Sequence, residues 1–483
     1  MQIQQHGVSK PTCTTRKTPA LYWRNLEYIL RKQGAKFSNW RKKLKFWSLL
    51  SPNWFSLKVR VCENCQHFNT TIRYNTTIRY NTTTLQHYNT MITIAPLWGI
   101  TLLIAIFIYS VLHFFLSPYR NTHIEPRPLP YAEKPPHGVS LKRLCDILNI
   151  SLVTCSLTTS DGYTVTLHRL NWPLSKSSLS SSYHPNDKIP VLCIPGLLQS
   201  PMAFLSAGYD SLAYLLLKNG HTVYLGNNRG GSVDDHLREN SLSSFNWNFT
   251  VTDMALDIVA MAQYIDSPLA LMGHSQGTAQ ILHLLHNNWL DKDTFKRLIL
   301  LAPALYGGEI LEKSIFFKLL HTLNCNGKIF TFFFGRSAFM PILMVLHRWT
   351  KSLPGYTTAS YMVFHALFHW NDRLWNASCK RVHFQASPVY TSVRCIKWWL
   401  DEFKCNCSFI DERVPFPAEM PPIFAVTGGK DTIVNNRLFM NRMQREGVLL
   451  ENIHRDEYSH LDVLWSRDLL DVVGTRLLAF LEE

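Results

Sequence analysis

Residues 269–278 read LALMGHSQGT, and within them Gly273-His274-Ser275-Gln276-Gly277 sets a serine between two glycines. A serine at that spacing, after an apolar strand and at the start of a helix, is the pattern of a nucleophile on a strained turn. The reason is steric. Glycine two positions to either side permits strand and helix to pack closely, and the strain lifts the Ser275 hydroxyl into a cleft. The helix N-terminus favours the negative charge that develops during attack. The chemistry this implies is acyl transfer through a serine.

A serine hydroxyl becomes nucleophilic when a base takes its proton, and a carboxylate must orient that base. In an α/β hydrolase the chain order is serine, acid, histidine. Downstream of Ser275, residues 424–434 read FAVTGGKDTIV, which puts Asp431 after a strand and a Gly-Gly turn. Residues 456–465 read DEYSHLDVLW, which puts His460 on a loop between a strand and the last helix. Ser275, Asp431 and His460 are therefore the expected triad. Asp462 reads as a loop or cap residue, Asp456 and Glu457 as solvated, and His454 as strand-end surface. His274 belongs to the elbow and cannot swing to its own neighbour's hydroxyl.

Acyl transfer also needs donors for the tetrahedral oxyanion. The backbone N–H of Gln276, just after the nucleophile, is one candidate. The other is the backbone N–H of Leu197, in the loop Pro195-Gly196-Leu197-Leu198-Gln199 that follows an apolar strand. No metal is expected. His365 and His369 stand at i, i+4 but lack the accompanying glutamate motif, and Cys62 and Cys65 form a C-x-x-C without a second pair.

Such residues need a scaffold that brings distant loops together. Residues 152–158 and 163–169 read as a hairpin around Ser160-Asp161-Gly162. Short apolar runs at 189–194, 221–225, 269–273, 297–302 and 421–426 alternate with amphipathic stretches near 204–218, 252–265, 277–288 and 435–446. That alternation predicts a mostly parallel sheet with helices on both faces. Residues 306–412 break it. They are rich in Phe, Trp, His and Leu and read as a helical cap, placed above the carboxyl ends of the strands. The expected organisation is a basic low-complexity tail (1–90), a membrane anchor (91–117), a Pro-rich linker (118–139), the α/β core in two parts (140–305 and 413–483) and the cap (306–412).

The anchor rests on residues 92–116, ITIAPLWGITLLIAIFIYSVLHFFL, an uncharged run long enough to cross a bilayer as one helix. Residues 1–60 hold thirteen Lys and Arg against one acid, Glu27, so +12 of the chain's +15 lies upstream of the run. The positive-inside rule then puts the N-terminus in the cytosol. Pro96 and Gly99 also permit a hairpin insertion into a lipid-droplet monolayer, which would leave the catalytic domain cytosolic. Phe37, Trp40, Leu44 and Trp47 alternate with basic residues as in a membrane-surface helix. A nucleic-acid partner is not expected, and oligomeric state is not legible. Sequons at Asn149, Asn248, Asn376 and Asn406, and disulfides among Cys325, Cys379, Cys395, Cys405 and Cys407, come into play if the domain faces an oxidising lumen.

GHSQGT at 273–278, PGLLQS at 195–200, GNNRG at 226–230, GGKD at 428–431, SHLDVLW at 459–465 and TTSDGYTVTLHRL at 158–170 together resemble the acid lipase and steryl ester hydrolase family. With its N-terminal apolar run, the chain looks most like the membrane-anchored yeast and fungal members. The resemblance implies an α/β-hydrolase fold with a helical cap, hydrolysis of steryl esters, triacylglycerols or both, and no cofactor. It assigns Ser275 as nucleophile, Asp431 as acid, His460 as base, and Leu197 with Gln276 as oxyanion donors. The chain departs from the family pattern at Pro195, where His is usual, and at Gly231, where Asn is usual. Phe316, Phe317, Phe330, Phe332, Phe333, Phe334 and Trp370 are expected to line an apolar site able to desolvate a sterol or acyl chain. An acyltransferase with the same triad and an inactive hydrolase-fold membrane scaffold are the competing readings.

Overall fold

The computed structural model describes residues 100–114, 139–172, 188–231, 245–289 and 293–483. Eight strands form one sheet in the order β1-β2-β4-β3-β5-β6-β7-β8. They are β1 (Ser151–Thr158), β2 (Thr164–Asn171), β3 (Val191–Ile194), β4 (Val223–Gly226), β5 (Leu269–His274), β6 (Phe295–Leu301), β7 (Ile423–Gly428) and β8 (Leu450–Arg455). The hairpin β1–β2 closes through Gly162, whose φ of +86° suits glycine, and β2 runs antiparallel to β4. From β4 to β8 every pair is parallel.

The central strands β3, β5 and β7 are buried along their whole length. Parallel strands covered on both faces read as continuous apolar runs, as these do. Successive side chains go to opposite faces. Cys193, Met272, Ile299 and Phe424 join one core, and Leu192, Leu271, Leu298 and Ala425 the other. Helices Leu212–Lys218 and Thr475–Glu482 cover the first face, and Ala255–Ile265 and Gln276–His286 the second. The stretch expected as one helix near 204–218 is split: two 3₁₀ turns, Pro201–Phe204 and Gly208–Asp210, precede the helix, which begins at the N-cap Ser211. Pro201 and Gly208 favour such turns over a continuous helix.

Between β6 and β7 the chain leaves the sheet and forms helices from Ile310–Lys313 to Val393–Glu402. Not all the aromatic residues expected over the site line it. Phe330 and Phe334, four residues apart on helix Gly327–Phe334, face inward and pack with Met340, Val393, Ile396 and Leu400. Consecutive residues on a helix cannot share one face. Phe333, three residues from Phe330, packs against the edge of the same cluster, and neither it nor Phe332 nor Phe316 lines the cavity at Ser275.

Of the apolar run 92–116, residues 100–114 are helical and the rest lies outside the described residues. Among the described residues no helix is long and apolar enough to cross a membrane. Leu102 and Leu103 pack on the Phe330–Phe334 cluster of the cap, and the Phe114 ring meets Tyr361 at 6.2 Å. Ile104, Phe107, Ile108, Tyr109 and Leu112 remain exposed. The basic tail, the C-x-x-C and the Pro-rich linker up to residue 138 lie outside the described residues. Of the sequon asparagines, Asn376 is buried and Asn149, Asn248 and Asn406 are exposed. The five late cysteines are free in the structure.

Candidate active site

β5 ends at His274, and the chain turns at Ser275 into helix Gln276–His286. Ser275 holds φ +51° and ψ −116°, a conformation most L-residues avoid. The two flanking glycines make the turn possible. A Cβ on Gly277 would lie 2.3 Å from the Ile194 carbonyl oxygen, and one on Gly273 would lie 2.6 Å from Ile281 Cδ1 and 2.8 Å from the Gly277 carbonyl carbon. Strand β3 and the elbow are thus in direct contact through a position that tolerates no side chain.

Asp431 follows β7 and His460 follows β8, so both loops emerge at the carboxyl ends of parallel strands, beside the elbow. His460 Nε2 is 2.8 Å from Ser275 Oγ, and His460 Nδ1 is 2.8 Å from Asp431 Oδ2. The Asp431 side chain is 1% exposed and that of His460 4% exposed. The other carboxylate oxygen, Asp431 Oδ1, accepts the backbone N–H groups of Ile433 and Val434 at 2.9 and 3.2 Å. The carboxylate is therefore fixed on one side and free to orient the imidazole on the other. The tautomer with hydrogen on Nδ1 leaves Nε2 able to accept the serine proton. Trp370 stacks on the His460 ring at 6.1 Å with an interplanar angle of 11°.

The loop after β3 lies against the elbow. Among the described residues, neither the Leu197 nor the Gln276 backbone N–H donates to a protein acceptor. Gln199 sustains this loop: its Oε1 accepts the Gly196 N–H at 2.9 Å and lies 2.8 Å from His274 Nδ1. His274 Nε2 faces the His460 carbonyl oxygen at 3.1 Å. Burial, then the nearby His460, pushes the His274 pKa well below its ordinary value, so the ring is neutral and carries one hydrogen between two acceptors. His274 does not touch the Ser275 hydroxyl. It sits between the oxyanion loop and the His460 loop.

The contacts of three residues, Asp462, Asn228 and Arg229, escaped the sequence reading. Asp462, read there as a loop or cap residue, is 1% exposed; it accepts the Ser459 N–H and hydroxyl at 2.5 and 2.6 Å and the Trp375 indole N–H at 2.7 Å. Burial pushes its carboxyl up to about 7, against these hydrogen bonds, which favour the charge. The spacing Ser459-x-x-Asp462 is that of a capping box and was the one legible signal. Asn228 donates to the Pro195 carbonyl oxygen at 3.3 Å and accepts from Gln280 at 2.9 Å, which ties GNNRG to the oxyanion loop. Arg229 is fully buried between Asp161 and Asp257. Gly231 lies close under Asn227: a Cβ there would meet Asn227 Oδ1 at 2.6 Å.

Ser275 and His460 open into a cavity of about 180 Å³. Of the aromatic residues expected to line it, Phe317 and Trp370 do, and Phe364, Phe368, Phe384, Trp399, Phe403 and Trp465 supply the rest of the aromatic wall. His365 Nδ1 donates its hydrogen to the Trp370 carbonyl oxygen at 2.7 Å.

A serine, a histidine and an aspartate in hydrogen-bonded series at the carboxyl ends of a parallel sheet make an arrangement suited to serine-dependent acyl transfer. The chain belongs to the α/β-hydrolase fold family, whose model matches residues 189–446. It is similar to sterol esterase 2 of Saccharomyces cerevisiae, 30% identical over 374 residues. That match covers 65% of this chain and 66% of the yeast protein, so it spans just under two thirds of that relative's length. Human gastric triacylglycerol lipase is 25% identical over 363 residues, covering 67% of this chain and 86% of the lipase.

Proposed function

We propose that this protein is a carboxylic ester hydrolase that cleaves lipid esters, steryl esters or triacylglycerols, at a membrane or lipid-droplet surface. The observation that carries the reading is the Asp431–His460–Ser275 series opening into an aromatic cavity. Ser275 Oγ attacks the ester carbonyl while His460 Nε2 takes its proton. The Leu197 and Gln276 N–H groups stabilise the oxyanion. His460 then protonates the departing sterol or glyceride oxygen, leaving an acyl-enzyme on Ser275. A water activated by His460 releases the fatty acid and restores the serine. Asp431 holds the imidazole and stabilises its charged form. Phe317, Phe364, Phe368 and Trp370 supply apolar walls suited to the acyl or sterol part.

The apolar run 92–116 supports the interfacial placement, because an insoluble substrate requires the enzyme to meet it at a surface. The similarity to a yeast sterol esterase favours steryl esters, and that to a gastric lipase favours triacylglycerols. The test is hydrolysis of a radiolabelled steryl ester by purified membranes carrying the protein, beside a triacylglycerol control. Release of fatty acid from the steryl ester supports the sterol assignment. Cleavage of triacylglycerol alone removes it and leaves the lipase. Cleavage of neither lipid overturns the reading.

Asp431→Asn is expected to lower kcat by roughly 10⁴-fold, because the amide presents a donor to His460 Nδ1 or favours the wrong tautomer. Steady-state kinetics on a soluble short-chain ester measure it. A loss below tenfold would remove Asp431 from the triad. For anchoring, carbonate extraction should leave the full chain in the membrane pellet and release a variant lacking residues 92–116.

A further inference from the structure

Three N–H donors of the cap reach loops of the catalytic centre. The Val389 backbone N–H donates to the Leu198 carbonyl oxygen of the oxyanion loop at 2.9 Å. The Trp399 indole N–H donates to Gln276 Oε1 at 2.8 Å, on the residue next to the nucleophile. The Trp375 indole N–H donates to Asp462 Oδ1 at 2.7 Å, and Asp462 in turn holds the Ser459 N–H, next to His460. All three acceptors belong to the core, and all three donors to the segment between β6 and β7.

We infer that the cap does more than cover the site: Trp399 and Trp375 are positioning residues that set the oxyanion hole and the His460 loop. This rests on the function proposed above. On the oxyanion side, Leu198 in the loop after β3 holds φ +59° and Ser275 in the elbow φ +51°, conformations that the surroundings must maintain. The Gln276 side chain is buried, and its other contacts are a 3.7 Å approach of Nε2 to Met254 Sδ and a 3.5 Å approach of Cys395 Sγ to Oε1, both weak. The Trp399 indole is the strong donor there. At Asp462 the indole N–H satisfies the carboxylate oxygen that Ser459 does not use. Without it, a wholly buried oxygen lacks a partner, and the turn bearing His460 is free to shift. A displacement of about 1 Å at such a centre costs on the order of 10²-fold in rate.

Trp399→Phe and Trp375→Phe keep an aromatic ring and remove the donor. On a water-soluble p-nitrophenyl butyrate, whose short chain needs little of the aromatic wall, each should lower kcat by roughly 10- to 100-fold with KM nearly unchanged. Affinity for an aryl boronic acid, which mimics the tetrahedral intermediate, should fall by a similar factor. Gln276→Met should reproduce the Trp399→Phe loss, and the double variant should be no worse than either single one. Asp462→Asn, which keeps the acceptor for Trp375 but turns an amide donor toward the Ser459 N–H, should match Trp375→Phe and serves where that variant fails to fold. A rise in KM alone, unchanged boronate affinity, or multiplying losses in the double variant would overturn the inference. If the wild type binds the boronate yet hydrolyses no ester, the hydrolase reading falls, while the relative boronate affinities still decide the role of the two tryptophans.

Discussion

Ser275→Ala is expected to reduce kcat on any ester by about 10⁵- to 10⁶-fold, the scale on which removing a triad nucleophile acts. The Ser275 hydroxyl has one side-chain partner, His460 Nε2 at 2.8 Å. Its removal therefore takes away the nucleophile and leaves the fold in place. Alanine at φ +51° carries the same backbone strain as serine, so the melting temperature should stay within a few degrees of the wild type. The Leu197 and Gln276 N–H groups remain, and with bound substrate they sustain the small residual rate over water. Fatty-acid release and boronate binding should both collapse, while binding of an apolar product in the aromatic cavity persists. A variant that keeps more than a few per cent of wild-type kcat would remove Ser275 as the nucleophile.

The second large effect is on stability. Arg229→Met should cost about 3–5 kcal/mol, the range for breaking a buried ion pair from one side. Arg229 is fully buried; its Nε donates to Asp257 Oδ1 at 2.8 Å and its backbone N–H to Asp257 Oδ2 at 2.9 Å. A terminal guanidinium nitrogen meets Asp161 Oδ2 at 2.6 Å, and the guanidinium lies 4.2 Å from the Tyr163 ring centre. Asp161 is 32% exposed at its side chain and can turn to water. Asp257, 1% exposed, cannot. Burial already raises Asp257 to about 6, with Arg229 opposing the rise. Without Arg229 its folded pKa rises further above the unfolded value. A carboxyl raised in the folded state destabilises the fold at pH above its folded pKa, and protonation relieves that penalty. The deficit measured by urea unfolding should therefore be largest near pH 8 and shrink toward pH 5. Arg229→Met combined with Asp257→Asn should recover part of it at pH 8. A pH-independent deficit, or none, would mean that the packing of GNNRG, not the ion pair, carries its structural role.

Several features were legible because they are local. The alternation of apolar runs and amphipathic stretches located β3 to β7 to within a few residues, since parallel strands buried on both faces carry an unbroken apolar signature. The elbow is written in five consecutive residues, and its steric demand is met within them and the adjacent strand. The aromatic wall was only partly legible. Phe317 and Trp370 reach the cavity, but Phe330 and Phe334 fill the cap's own core. Composition shows that a segment is apolar, whereas the face each ring takes depends on the helix that packs against it.

The amino-acid sequence by itself determined the α/β-hydrolase fold and singled out Ser275, Asp431 and His460, because a strained turn and a fixed chain order are short-range or ordinal properties. The tertiary structure decided how those residues are held. It alone assigned Arg229 to a buried ion pair, placed His274 between two loops and drew Asp462 and Gln276 to Trp375 and Trp399, across 87 and 123 positions of chain. Such contacts leave no local pattern, because any indole and any oxygen can meet once the core has brought them within 3 Å.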